Sequence, residues 1–324
     1  MTPQLLDILR QLSHVDFRSG EEVARRLRIS RASVHNAVQE AEALGLRVQA
    51  VRGRGYRLAR PVSWLDAALF SPELSACGVR SQLVPVLDST NSHLMALAQS
   101  SAPHKLLVAA EWQGKGRGRR GRAWLAGLGG GLMFSLLWRF NRPAGELSGL
   151  SLVVGLGLAQ VLRELGLHRA GVKWPNDIVV GEAKLAGVLI ELAGDMLGPS
   201  TAIIGVGVNV LGAESLRGAV EQPVTDLSEH LSERGLDRNV LLREMVLRLN
   251  AYLERFDAEG FAPFRQDWEA LHMHQNQIVQ VFDARGGVVA GRALGVDDSG
   301  ALLLASERGP LRFHSGEVSL RGGA

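Results

Sequence analysis

One run of eleven residues restricts this chain more than any other. From Gly114 to Trp124 it reads Gly-Lys-Gly-Arg-Gly-Arg-Arg-Gly-Arg-Ala-Trp, so Lys115, Arg117, Arg119, Arg120 and Arg122 stand together with no acid between them. Like charges repel, and Gly114, Gly116, Gly118 and Gly121 offer no side chain to pack, so the run cannot belong to a core helix or strand. It is expected to be mobile when empty and to gain order around a polyanion or a compact acid. The apolar runs Leu106–Trp112 before it and Leu132–Arg139 after it predict buried strands. A flexible cationic loop between two core strands serves as a lid more often than as a linker. A solvated nucleic-acid-binding loop is the alternative that spacing alone leaves open.

Gly116-x-Gly118-x-x-Gly121 matches the dinucleotide fingerprint literally. That fingerprint needs its last glycine to open a helix onto a pyrophosphate. Here the glycines lead through Ala123-Trp124-Leu125 to Gly129-Gly130-Gly131, which cannot start a stable helix. Nucleotide binding of that kind is excluded, and the chain has no Gly-x-x-x-x-Gly-Lys-Ser/Thr string for a P-loop.

A chain of 324 residues, 46 % apolar, can bury a sizeable core and hold two or three domains. The single Cys77 rules out an internal disulfide and predicts a reducing cytoplasm. Leu5–Leu12 is amphipathic rather than a leader, and Arg163 and Glu164 stop the apolar run Leu150–Leu162, so no membrane partner is expected. Charge is uneven. Residues 1–62 carry 11 arginines against 6 acids, whereas the remainder is net −2. A nucleic-acid partner is therefore sought in the first segment.

That segment reads as helix, helix, turn, helix and a short ribbon. Leu5, Ile8, Leu9 and Leu12 form one apolar face, and Ser30 caps a helix in which Val34 and Val38 point inward. Arg31, Ser33, Asn36 and Gln39 point outward, where short polar side chains suit base edges in a major groove. Two strands around Arg52-Gly53-Arg54-Gly55 complete a winged helix-turn-helix, with Arg52 and Arg54 placed for phosphates. Arg60-Pro61-Val62 is a linker.

The second domain alternates strands and helices. Leu83–Leu87 ends in Asp88-Ser89-Thr90-Asn91, whose polar groups either cap the next helix or meet a small polar ligand. Lys184 heads a strand, and Gly205 and Gly207 in the strand Ala202–Val210 permit close approach by a ligand or a neighbouring chain. From Asn276 the pattern turns to short strands, predicting a barrel-like appendage. These features yield no nucleophile, metal motif or Gly-x-Ser-x-Gly elbow. Positioning by cations remains, as adenylate formation requires when a carboxylate attacks the α-phosphorus of ATP.

Asp88-Ser89-Thr90-Asn91, Glu111-x-Gln113, the arginine run through Trp124, Lys173-Trp174-Pro175-Asn176-Asp177, Lys184-Leu185-Ala186-Gly187 and Gly316-Glu317-Val318-Ser319-Leu320-Arg321 carry a resemblance. Over essentially its whole length the chain resembles the bifunctional biotin protein ligases, the biotin operon repressors. The resemblance implies an α+β protein: a winged helix-turn-helix over 1–62, a catalytic domain over 63–273 with a mixed sheet like that of class II tRNA synthetases, and an SH3-like β-barrel over 274–324. It implies that Ser89, Thr90, Asn91, Gln113, Gly116, Arg117, Gly118, Arg119, Lys184 and Gly187 surround biotin. Arg117, Arg119, Arg120, Arg122, Trp124, Asn176, Lys184 and Arg321 would meet ATP or the adenylate, with Mg²⁺ accompanying ATP on no assignable ligand. Lys184, Arg119 and Asp177 are the implied catalytic residues, Asp177 helping to receive the acceptor lysine.

The implied acceptor is the biotin carboxyl carrier protein of acetyl-CoA carboxylase. The adenylate would also act as corepressor, favouring a homodimer on operator DNA. Two rivals remain: a lipoate-type protein ligase, and a biotin-sensing transcription factor without ligase activity. The arginine loop speaks against the first, and Lys184 together with that complete loop against the second.

Overall fold

The computed structural model describes residues 2–100, 102–193, 199–220, 222–232, 237–283, 287–314 and 318–322. At the N-terminus, α1 (Pro3–Arg10), α2 (Gly20–Leu27) and α3 (Arg31–Ala43) bury Leu5, Ile8, Leu9, Val23, Val34 and Val38 against one another. Ser19 and Ser30 cap α2 and α3 by accepting from the amides of Glu21 and Ser33. Each thereby satisfies a donor that the first helical turn leaves open. Gly45, at φ 85°, ends α3 in a left-handed turn that glycine adopts without strain. The wing follows as the antiparallel hairpin of β1 (Val48–Val51) and β2 (Gly55–Leu58), extended by a bridge from Arg18 to Tyr56.

The central layer is a seven-stranded sheet. In chain order its strands are β3 (Arg80–Leu87), β4 (Leu106–Gln113), β5 (Gly131–Phe140), β6 (Ala170–Lys173), β7 (Asp177–Val180), β8 (Ala183–Ala193) and β9 (Ser200–Asn209). Their spatial order is β3-β4-β5-β9-β8-β7-β6, with β3 and β4 parallel and each later neighbour antiparallel. The mixed sheet expected from the sequence is therefore present. A short helix, α4 (Ser71–Ala76), precedes β3, and α5 (Thr90–Gln99) lays Leu94 on Val108, Leu137 and Ile203. The main core joins the sheet to α6 (Leu150–Glu164), α7 (Arg238–Glu259) and α8 (Arg265–Leu271). Ala144–Glu164 is long and apolar enough to cross a membrane, but 11 of the 15 residues of α6 are buried in this core.

The last segment comprises β10 (Ile278–Asp283), β11 (Val288–Val296), β12 (Leu302–Ser306), β13 (Gly309–Phe313) and β14 (Val318–Gly322). They pair antiparallel in the order β13-β12-β11-β10-β14. The short strands expected from Asn276 onward are thus present as one five-stranded antiparallel sheet among the described residues. It docks on the central domain through the Trp174 indole, which donates to Gly300 O at 3.2 Å, and through Glu269, which accepts from the Val296 amide at 3.0 Å.

Near this junction His272 stacks on Trp268 with centroids 4.5 Å apart and is 5 % exposed. Burial lowers its pKa from 6.5 to about 4; a hydrogen bond with Gln275 opposes the shift, and His274 adds to it. The unfolded chain accepts a proton at this ring near pH 6.5, whereas the folded chain resists it until about pH 4. The ring's contribution to stability is therefore complete above the upper value and is lost as the pH falls toward the lower one, on the order of 3 kcal/mol. Urea midpoints should decline across that interval, and His272→Gln should flatten the decline.

Candidate active site and nucleic-acid interface

Bare backbone prepares the floor of the site. The sheet aligns Ser135, Gly205 and Leu189 in one row, and Met133, Gly207 and Gly187 in the next but one on the same face. A Cβ on Gly205 would lie 2.1 Å from Asn91 Oδ1, and one on Gly207 2.4 Å from the Trp124 ring. The close approach expected at these glycines is made by the chain's own Asn91 and Trp124.

Ser89 is the N-cap of α5 and accepts from the Ser92 amide at 3.4 Å. Thr90 donates to Gln113 Oε1 through its amide at 2.7 Å and its hydroxyl at 3.1 Å. Asn91 Nδ2 donates to Leu189 O at 3.3 Å and Glu191 Oε2 at 2.8 Å, while its Oδ1 lies 2.6 Å from Ser135 Oγ. Both donors of the Asn91 amide are thus used inside the protein. The structure brings Ser89, Thr90, Asn91 and Gln113 together and gives Asn91 a scaffolding geometry.

The arginine run is folded across this floor as a hairpin. Gly114 and Lys115 donate to Leu87 O and Asp88 O, each at 2.8 Å, fixing its base. Trp124 donates back to Gly116 O at 2.9 Å, and Gly118 to Arg122 O at 2.7 Å. Arg120 takes φ 57° and Gly121 φ 71° at the tip, next to a 3₁₀ turn over Arg119–Gly121 rather than a helix N-terminus. Gly116 has to be glycine, because a Cβ there would lie 2.4 Å from Trp124 O. These backbone bonds, with the side-chain partners, give the arginine run its hairpin geometry.

Arg117 donates to Glu191 Oε2 at 2.7 Å, and Arg119 to Asn176 Oδ1 at 2.8 Å. Asn176 in turn donates to Val188 O at 2.8 Å, so the hairpin reaches β8 through both contacts. Burial, then Arg120, lowers the Arg119 pKa, with Asp177 opposing; the guanidinium remains a cation. Arg120 and Arg122 are exposed. With Arg117, Gly118, Leu189 and Glu191 they line a cavity of about 550 Å³.

Lys184 Nζ lies 2.7 Å from Asp177 Oδ1 as an ion pair without hydrogen-bond alignment, and 5.7 Å from the Trp124 ring centroid. A Cβ on Gly187 would be 3.1 Å from this ammonium and 3.2 Å from the indole, so glycine leaves room for both. Asp177 therefore serves first as the partner of Lys184. Arg321 lies on β14 opposite Gln280; its side chain and the Gly316–Glu317 part of its motif fall outside the described residues. Among the described residues no group of three or more His, Cys, Asp or Glu could hold a metal ion. The nearby acids Asp88, Asp177 and Glu191 are each paired with a cation. Among the described residues this donor set does not build a protein cage for a divalent cation.

On the first domain, Arg31, Asn36 and Gln39 are exposed along α3 and Ser33 is half-buried, its hydroxyl 2.9 Å from Ser30 Oγ. In the wing Arg52 is exposed, and Arg54 stacks on Phe17 at 4.5 Å. Arg57 stacks on the same ring at 4.6 Å and donates to Gln49, so it stiffens the wing. The two domains share chain as well as surface. Leu128, just beyond the hairpin, is 2 % exposed within the winged-helix core, and its amide donates to Leu44 O at the end of α3 at 2.9 Å.

The Biotin/lipoate A/B protein ligase family matches residues 83–209, an HTH domain residues 4–57, and the Biotin protein ligase C terminal domain residues 274–321. The chain is 36 % identical over 318 residues to the bifunctional ligase/repressor BirA of Salmonella typhimurium, with 98 % of this chain and 97 % of that one covered. The chain belongs to the bifunctional biotin ligase/repressor family. A Bacillus subtilis member of the family is 30 % identical over 98 % of this chain and 97 % of its own. The biotin protein ligase from Aquifex aeolicus, solved in complex with biotin and ATP, superposes with a TM-score of 0.65 at 30 % identity, covering 75 % of this chain and 99 % of that one.

Sequence reasoning gave no role to three residues at or beside this family member's site, of which Glu111 entered only as part of a motif. Ser135 and Glu111 are both fully buried, and each was visible as a polar residue inside an apolar run. Glu111 pairs with buried Arg238, accepts from the Leu65 amide at 3.0 Å and lies 3.8 Å from Arg10 of α1. Glu191 had no local signal, since an acid near a strand end is usually solvated.

Proposed function

We propose that this family member joins biotin to ATP, giving biotinyl-5′-AMP and pyrophosphate, and then transfers biotin to a lysine of the biotin carboxyl carrier protein of acetyl-CoA carboxylase. One observation carries the reading: the cationic hairpin folds onto the same end of the sheet that holds the Lys184–Asp177 pair, with Asn176 between them. In the first step a biotin carboxylate oxygen attacks the α-phosphorus, and the bond to the leaving pyrophosphate breaks. Charge grows on phosphate oxygens, and cations held in place beforehand lower that barrier without reorganising. In this assignment Lys184 and Arg119 face the α-phosphate, while Arg117, Arg120, Arg122 and Arg321 serve the nucleotide side. Gln113, Thr90, Ser89 and the hairpin glycines border biotin. In the second step the lysine amine attacks the acyl carbon, AMP leaves with the bridging oxygen, and the amine loses a proton. Asp177, released from Lys184 once that ammonium engages the acyl phosphate, can draw in the incoming lysine.

The winged helix supports a second role, repression with the adenylate as corepressor, through a homodimer on an operator of two half-sites. The free Cys77 accords with a cytoplasmic setting. Biotin-dependent exchange of pyrophosphate into ATP tests the ligase reading, with lipoate as the control acid. Exchange that follows lipoate, or needs neither acid, overturns it.

For DNA, replacing Asn36 and Gln39 with alanine should weaken operator binding by about 10–100-fold while exchange stays unchanged. Gel shifts against operator and random DNA measure this; equal binding to both by wild type refutes the interface. Removal of residues 1–62 is a poorer test, because it strips the cover from Leu128 and removes Arg10 from beside Glu111.

A further inference from the structure

Among the described residues Glu191 is the one acid lining the cavity under the hairpin. A carboxylate there opposes any anionic acyl phosphate, because like charges repel. Its position is explained by its contacts. The same Oε2 accepts from Arg117 on the hairpin at 2.7 Å and from Asn91 at the start of α5 at 2.8 Å. Asn91 is itself fixed by Ser135 and Leu189 O on the sheet. Glu191 is therefore a direct side-chain tie between the hairpin and the floor that Asn91 builds, through two charge-assisted bonds on one oxygen. It also balances charge. Lys115 and Arg117, in the first limb of the hairpin, pair with Asp88 and Glu191.

We propose that Glu191 is a positioning residue for biotin activation. It seats Arg117 and thereby sets the height at which the hairpin closes over the bound acid and its adenylate. It acts through Arg117 and Asn91. The proposal rests on the ligase reading above.

The test compares Glu191→Ala and Glu191→Gln with wild type in biotin-dependent exchange and in the lifetime of the bound adenylate. Removing the tie in Glu191→Ala should raise the biotin KM by about 10-fold and shorten the adenylate lifetime by a similar factor, with kcat of exchange within about twofold. Gln keeps an acceptor oxygen, so Glu191→Gln should recover most of both losses. Wild-type KM and lifetime in Glu191→Ala overturn the proposal. So does a fall in kcat with KM and lifetime unchanged, accompanied by a lower Tm, because that marks a merely structural contact. Failure of wild type itself to catalyse biotin-dependent exchange sinks the ligase reading, and with it the proposal; active wild type with unaltered variants sinks the proposal alone.

Discussion

Arg119→Gly should release biotinyl-5′-AMP early and biotinylate bystander lysines. In the folded hairpin Arg119 donates to Asn176 Oδ1 at 2.8 Å, and Asn176 is anchored on Val188 O. Glycine removes a charge-assisted bond of about 1.5–3 kcal/mol and adds backbone freedom at the tip. That corresponds to adenylate escape faster by roughly 10–100-fold. Formation of the adenylate should suffer less, since Lys184 and Arg117 stay in place. Rapid filtration of the bound adenylate and streptavidin detection of an unrelated lysine-rich protein would measure both effects. Retention equal to wild type would count against a lid.

The largest loss is expected from Lys184→Gln. This ammonium is held between Asp177 and the Trp124 ring over a glycine that leaves it room. Loss of a preorganised cation at a developing phosphate charge costs roughly 10²–10³-fold in rate. Exchange should fall by that factor with the fold retained. Asp177→Asn supplies the control. It leaves Lys184 charged but less well held, so exchange should drop by about 10-fold or less. If both variants lose activity equally, Lys184 is only a structural partner of Asp177 and the catalytic assignment fails.

The sequence made the fold largely legible because its patterns are local. Ser30 before the apolar positions of α3, and glycine at position 45, mark the start and stop of that helix without tertiary knowledge. The unbroken apolar runs of β4 and β5 likewise announce buried strands.

For the site, residues carried by motifs fell close together, as with Arg119 and Asn176 or Lys184 and Asp177. What the chain concealed were partners distant in sequence. Glu191 meets Arg117 across 74 positions, and Glu111 meets Arg238 across 127. The order of the hairpin was hidden for the same reason. Charge density alone gives the loop no geometry, whereas the acceptors Leu87 O and Asp88 O, which take the amides of Gly114 and Lys115, lie at a strand end whose place only the folded sheet defines.

The seating of Leu128 beneath the end of α3 has a practical consequence for protein engineering. The two halves of this molecule are not interchangeable cassettes. A foreign DNA reader grafted ahead of the ligase would arrive without the notch that receives Leu128, and without Gly45, which at φ 85° and with a Cβ there only 3.3 Å from Gly127 Cα is best left as glycine. A working chimera must carry the short stretch after Trp124 along with the reader, even though that stretch lies in the middle of the enzyme.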